Sequence, residues 1–292
     1  MRYRIFIFLL TAAFFGLAGA FAPPGQAASK RSLPPQIPKV AFGEKVEFRT
    51  ADGWKLGAWY APRRDAGLWT FICLHGVGAG KGEWEHFAST AAALGYGILA
   101  YDARGHGESQ MGPQGRADFR SFQRRGEDNE WNQMTADVEA ALVFLSSQGV
   151  NSSSTVLVGG SIGANIMLKA ASRHPEIPMA ILASPSLNYR EVRTVNDIRQ
   201  YGRRPLLLMT SQNDEYSFSG AKLLYNLGVF STGRQVSFLA AIDGHGAPLL
   251  EGENLEKVMR WVQNPSKSFM IVVSTISAAP EPQRSPPPGG SR

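Results

Sequence analysis

The sequence predicts an α/β domain, a mostly parallel sheet of eight strands that opens with an antiparallel hairpin and carries helices on both faces. Three observations carry this. Short, nearly all-apolar runs recur along the chain, as in strands buried on both faces. Stretches with helical apolar spacing lie between them. The first two runs are joined by Ala51-Asp52-Gly53, a tight-turn signal. Strand and helix in alternation imply parallel pairing with right-handed crossovers.

In order, Val46 to Thr50 and Leu56 to Tyr60 form the hairpin. The buried strands are then Trp69 to Leu74, Gly97 to Tyr101, Ser154 to Val158, Met179 to Ala183, Pro205 to Thr210 and Val236 to Leu239. A helix over Glu83 to Leu94 aligns Trp84, Phe87, Ala88, Ala91 and Leu94, and one over Met134 to Leu145 aligns Ala136, Val138, Ala141, Leu142 and Leu145. Ile162 to Ser172, Gly220 to Leu227 and Asn254 to Gln263 supply three more. In such sheets the working residues gather on loops at the carboxyl ends of the strands.

Composition narrows the class. With 292 residues, 43% apolar and 18% charged, the chain is not disordered, collagen-like or a polytopic membrane protein. Its +6 charge resides largely at the ends, in Arg2 and Arg4 and in Lys267, Arg284 and Arg292, so no phosphate-backbone footprint and no nucleic-acid partner are expected. Met1-Arg2-Tyr3-Arg4 followed by the uncharged run Ile5 to Ala22 is laid out as a secretory signal, with cleavage after Ala27. Residues 1–27 are thus expected as signal peptide, 28–265 as the domain and 266–292 as a flexible Pro-rich tail. A secreted or periplasmic enzyme without a stable membrane partner follows. The rival is an uncleaved anchor, since eighteen residues nearly cross a hydrocarbon core of ~30 Å. Cys73, the single cysteine, reads as a small buried strand residue. The apolar stretch Phe269 to Ile276 is too short to span a bilayer and has no assigned role. Oligomeric state is not read from the sequence.

The chemistry lies in Gly159-Gly160-Ser161-Ile162-Gly163, between a strand and a helix. A sharp turn there projects the Ser161 hydroxyl, and small residues at 159 and 163 let backbone approach closely. The alternative is a serine that merely caps the helix. A serine nucleophile requires a base and an orienting carboxylate. Of five histidines, His245 sits in the Gly-flanked loop Asp243 to Ala247 after the last strand, whereas His174 is remote along its helix and His86 reads as a surface residue. Asp214 follows the strand ending at Thr210 and is the expected carboxylate, with Glu215 as its substitute. The oxyanion donors are expected to be the amides of Val77, in His75-Gly76-Val77-Gly78, and Ile162. Gly76, Gly78 and His106 are candidate substrate contacts, while His75 reads as structural. No Cys or His cluster has ligand spacing, so neither metal nor organic cofactor is expected.

In joint order, HGVG, DARGHGES, GGSIG, Asp214 and His245 resemble the α/β-hydrolase superfamily from Val46 to about Val262. DARGHGES and the short connections are similar to the serine aminopeptidase-like, monoacylglycerol-lipase-like and dienelactone-hydrolase-like branches. The resemblance implies a serine hydrolase, most directly a carboxylesterase on a small-molecule ester or acyl substrate. A peptidase or amidase, an acyltransferase or a non-catalytic binding protein on the same scaffold are the alternatives. Where many relatives carry a multi-helix cap, Pro185 to Arg204 has room for one short helix. The longer insertion Gln110 to Trp131 holds Phe119, Phe122 and Trp131, which either roof an acyl pocket or only anchor the loop.

Overall fold

The structure, a computed structural model, describes residues 43–232, 235–265 and 269–272. The expected signal peptide, its cleavage site and the Pro-rich tail beyond residue 272 lie outside the described residues.

The principal strands are β1 (Glu44–Arg49), β2 (Lys55–Ala61), β3 (Thr70–Leu74), β4 (Gly97–Tyr101), β5 (Thr155–Gly160), β6 (Met179–Ala183), β7 (Leu206–Ser211), β8 (Val236–Ala241) and β9 (Met270–Val272). Their spatial order is β1-β2-β4-β3-β5-β6-β7-β8-β9. Pairing is antiparallel for β1 with β2 and for β2 with β4, and parallel elsewhere along that order. The mostly parallel sheet is as expected, but it is wider than eight strands. A short ladder, Met111–Gly112 against Gly115–Arg116, is attached to β2. Residues Met270–Val272, assigned above to the tail, pair with β8 as an edge strand. Three residues carry no readable period, and only the presence of β8 gives their backbone groups partners.

The helices are α1 (Glu85–Ala93), α2 (Thr135–Ser147), α3 (Ile162–Arg173), α4 (Val195–Gln200), α5 (Glu215–Thr232) and α6 (Gly252–Gln263). Successive side chains of a strand point to opposite faces. Phe71 and Cys73 of β3 therefore pack with Phe87 of α1 and Val258 of α6, while Ile72 and Leu74 pack with Val138 of α2 and Ile166 of α3. In α6, Leu255, Val258, Met259 and Val262 follow the i, i+3, i+4, i+7 spacing and are all buried. Burying each such side chain contributes about 1.5–3 kcal/mol. Leu94, expected on the α1 stripe, lies past the helix end and is exposed. Among the described residues, no helix is long and apolar enough to cross a membrane.

The loop after β4 is braced by buried charge. Arg104 bonds Asp137 at 2.7 Å and Asp52 at 2.7 Å, and Lys81 bonds Asp102 at 2.6 Å and Glu108 at 2.9 Å. Burial pushes the Asp137 carboxyl up to about 6, with the adjacent Arg104 opposing it. Removing one member of such a pair strands the other charge, at a cost of about 3–5 kcal/mol.

Candidate active site

Ser161 joins β5 to α3 at φ 55°, ψ −121°, with its N–H donated to the Ala183 carbonyl at 2.8 Å. Such a conformation in a non-glycine residue costs about 1–3 kcal/mol and persists only where the surroundings impose it. They do so here by close packing. A Cβ on Gly163 would stand 2.3 Å from the Leu74 carbonyl oxygen, and one on Gly159 would stand 2.4 Å from that of Gly163. The Ser161 hydroxyl makes no cap bond to α3. It is a projecting group rather than a helix cap.

His245 and Asp214 meet across the ends of β8 and β7. His245 Nδ1 lies 2.5 Å from Asp214 Oδ2, and Asp214 Oδ1 accepts the Ser217 N–H at 3.2 Å. Burial would raise the Asp214 carboxyl, but these bonds outweigh it and hold the group below its usual range. Glu215, the substitute, is the first residue of α5, and it is Asp214 that reaches the imidazole. The histidine loop is pinned on both sides of His245. Ser211 Oγ donates to the Gly244 carbonyl at 2.7 Å, and Gly246 N–H donates to Ser184 Oγ at 3.0 Å. This loop lies on the elbow itself, since a Cβ on Gly160 would come within 3.0 Å of the Ala247 nitrogen. No hydrogen bond joins the Ser161 hydroxyl to the imidazole; that link of the expected relay is open.

The expected oxyanion amides lie at the same place. A Cβ on Gly76 would stand 3.2 Å from that of Ser161, so the loop after β3 lies against Ser161. The Val77 and Ile162 N–H groups meet no acceptor among the described residues. Gly76 N–H is instead taken by Glu83 Oε2 at 3.2 Å. Gly78 adopts φ 74°, and a Cβ there would touch the Phe119 ring at 3.4 Å.

Of the other histidines, His75 is structural as expected, with Nδ1–H donated to the Gly76 carbonyl at 2.7 Å and Nε2 accepting the Ala103 N–H at 3.0 Å. His174 is engaged by Glu139 and Glu176, and His86 is exposed on α1. His106 departs from the expectation of a substrate contact. It is 2% exposed and stacked 4.2 Å from the Phe119 ring, with burial and the neighbouring His75 pushing it down to about 4. The ring lies buried beneath Phe119 and is closed off from solvent.

The two insertions pack on each other. Pro185 to Arg204 forms a two-rung hairpin, Asn188–Tyr189 with Val192–Arg193, and the short α4, as its length implied. At the hairpin tip Arg190 and Glu191 have positive φ, and Asn129 and Asn132 donate to their carbonyls at 2.8 and 3.1 Å. The Arg190 guanidinium lies 4.7 Å over the Trp131 ring. Phe122 is buried edge-on against Trp54 and Trp131, so it anchors the loop and does not roof a pocket. Phe119 borders Gly78 in the loop after β3. A cleft of about 460 Å³ at the start of α5 is lined by Ser186, Leu187, Tyr216 and Leu223, and its lining includes none of Ser161, Asp214 and His245. A larger groove of about 940 Å³, between α2 and α4, contains none of the elbow or histidine-loop residues.

A family model described as serine aminopeptidase, S33, matches residues 68–216, just over half of the chain. The chain belongs to this α/β-hydrolase family. The match takes in Ser161 and Asp214 and ends before His245. Two uncharacterized proteins of Mycobacterium tuberculosis strains are 28% identical over 156 residues, which is 53% of this chain and 50% of theirs. The chain thus spans about half the length of the curated relatives it matches. Among solved structures, a Pyrococcus furiosus esterase superposes with a TM-score of 0.59 at 18% identity, over 75% of this chain and 88% of its own. A soluble variant of a Saccharomyces cerevisiae monoglyceride lipase gives 0.59 at 15%, over 80% and 98%. At these identities the likeness is one of fold.

Three side chains that hold the loops around Ser161 and His245, Glu83, Ser184 and Ser211, are not marked in the sequence. No spacing marks them, because each acts on a segment distant in the chain.

Proposed function

We propose that the chain is an exported serine hydrolase, a carboxylesterase of small or medium acyl esters acting through Ser161, His245 and Asp214. The observation that carries this reading is the 2.5 Å contact of His245 Nδ1 with Asp214, on a loop packed against the strained turn that presents Ser161. Nδ1–H donated to Asp214 leaves the Nε2 lone pair free to take a proton. Ser161 Oγ attacks the ester carbonyl as Nε2 takes its proton, and the Val77 and Ile162 amides receive the negative oxygen. His245 returns the proton to the leaving alcohol, and water repeats the sequence on the acyl-enzyme. The open serine–imidazole link closes by a modest movement of an imidazole whose side chain is 52% exposed, as relays in free enzymes commonly tighten on substrate.

The test is labelling by a fluorophosphonate probe in the wild type and Ser161→Ala. Ser161-dependent labelling is expected, and its absence in folded protein overturns the reading in favour of a binding protein. Turnover of aryl esters but not aminoacyl arylamides separates esterase from peptidase, and ester products formed with added alcohols identify a transferase. Export is checked by the N-terminal sequence of the mature protein, expected to start at Ala28.

A further inference from the structure

Glu83 belongs to no element of the serine, histidine and aspartate arrangement, yet its surroundings are built around the site. It lies on the helical turn Lys81–Trp84. That turn is fixed on both sides of Glu83: Lys81 is buried on Asp102 and Glu108, and Trp84 is fully buried in the core between the sheet and α1. The turn thus has little freedom, and Glu83 is delivered to one place. There its Oε2 accepts the Gly76 N–H at 3.2 Å. Gly76 is the residue whose α-carbon faces the Ser161 side chain. Its carbonyl is occupied as well, by His75 Nδ1 at 2.7 Å. With both polar groups of Gly76 held, the next amide, Val77 N–H, remains without an acceptor on the side of the nucleophile.

The turn that carries Glu83 packs against Ala247–Leu250, which begins two residues past His245. An imidazolium at His245 would attract the Glu83 carboxylate. Helix α1, strands β3 and β4 and the segment Ala247–Leu250 pack against the turn; their ionisable side chains are Glu85 and His86, exposed on α1, and the buried Cys73 and Tyr101, and Lys81 is engaged by its own two carboxylates. Burial pushes the Glu83 carboxyl up, against the Gly76 bond and the attraction of His245. A group kept partly out of water, beside an imidazole that becomes cationic during turnover, is worth more electrostatically than a surface acid.

We infer that Glu83 is a positioning residue of the active site, which fixes Gly76 so that the Val77 amide stays open to the substrate oxygen and which adds a second negative charge near His245. This rests on the serine-hydrolase reading above. The two parts separate chemically. Glutamine keeps an oxygen that can accept the Gly76 N–H but carries no charge, whereas alanine removes both.

The experiment compares wild type, Glu83→Gln and Glu83→Ala in steady-state hydrolysis of one aryl ester across pH, with thermal melting of each and fluorophosphonate labelling of wild type and Ser161→Ala. Glu83→Ala is expected to lose on the order of tenfold in kcat with little change in KM, since a misplaced oxyanion donor is felt in the transition state. Glu83→Gln is expected to recover most of that loss. Its acidic pH limb should move to lower pH by about half a unit, because removing a nearby negative charge makes the imidazolium easier to deprotonate. Wild-type kcat in Glu83→Ala, or equal losses in folded Gln and Ala variants with an unmoved pH limb, overturns the inference. If Glu83→Ala fails to melt cooperatively, Glu83→Gln alone decides through its pH limb. Wild type that is not labelled through Ser161 removes the underlying reading instead, and the inference with it.

Discussion

Ser184 Oγ accepts the Gly246 N–H at 3.0 Å, across 62 residues of sequence, and so ties the end of β6 to the loop that carries His245. Ser184 itself holds φ 54°, a second non-glycine residue in the left-handed region beside the first, Ser161. Its N–H is donated to the Met209 carbonyl at 2.7 Å. The strain is therefore imposed by a strand-end bond and used to aim a hydroxyl at the histidine loop. Replacing Ser184 by Ala removes one hydrogen bond worth about 0.5–1.5 kcal/mol. Under the proposed function, kcat should fall by up to about tenfold with KM nearly constant. Ser184→Gly loses the same bond but relieves the backbone, so it should melt at a higher temperature than Ser184→Ala while showing the same kinetic loss. Melting curves beside steady-state kinetics check this.

The elbow makes a steric prediction that needs no assay of activity. Gly163→Ala drives a methyl group onto the Leu74 carbonyl and should destabilise by about 3 kcal/mol or more, because the obstacle is backbone that cannot step aside. Gly82→Ala, where nothing lies within 4 Å, should change stability by no more than about 0.5 kcal/mol. Urea unfolding midpoints of the two variants measure the contrast.

Phe119 and Phe122 sit three residues apart and should behave oppositely. Phe122 is 5% exposed between Trp54 and Trp131, and its truncation to Ala should cost about 3–5 kcal/mol. Phe119 borders Gly78 of the oxyanion loop. Phe119→Ala should instead shift acyl chain-length preference toward longer esters at modest cost in stability. A C2 to C10 ester series, read with melting temperatures, tests both.

His174 links α3 to α2 through Glu139 at 2.8 Å and also bonds Glu176 at 2.8 Å. Burial works against the charged ring, but these carboxylates win and raise its pKa above the usual value. A histidine raised on folding contributes its stability fully below its unfolded pKa, about 6.5, and loses it as pH rises through the folded value. The contribution is about 1 kcal/mol or less, since water reaches the pair. Unfolding midpoints of wild type should therefore decline between pH 6 and 8 relative to His174→Gln, whose profile should be flatter in that window.

How much of this was legible beforehand follows from the range of each interaction. The order of strands and helices, the hairpin at Asp52-Gly53 and the turn around Ser161 were readable, because apolar period and the need for glycine at 159 and 163 are properties of neighbouring residues. The edge strand Met270–Val272 was not, since a strand so short exists only by pairing with β8. Nor was the burial of His106 under Phe119, or the separation of Phe119 from Phe122. Gly76 needed Glu83 to occupy its amide, and Gly246 needed Ser184. The sequence alone determined which chemical groups the chain owns and the local turns that present them. The tertiary structure decided which of those groups touch, because hydrogen bonds between distant segments depend on how two faces of one sheet are packed and leave no period in the sequence.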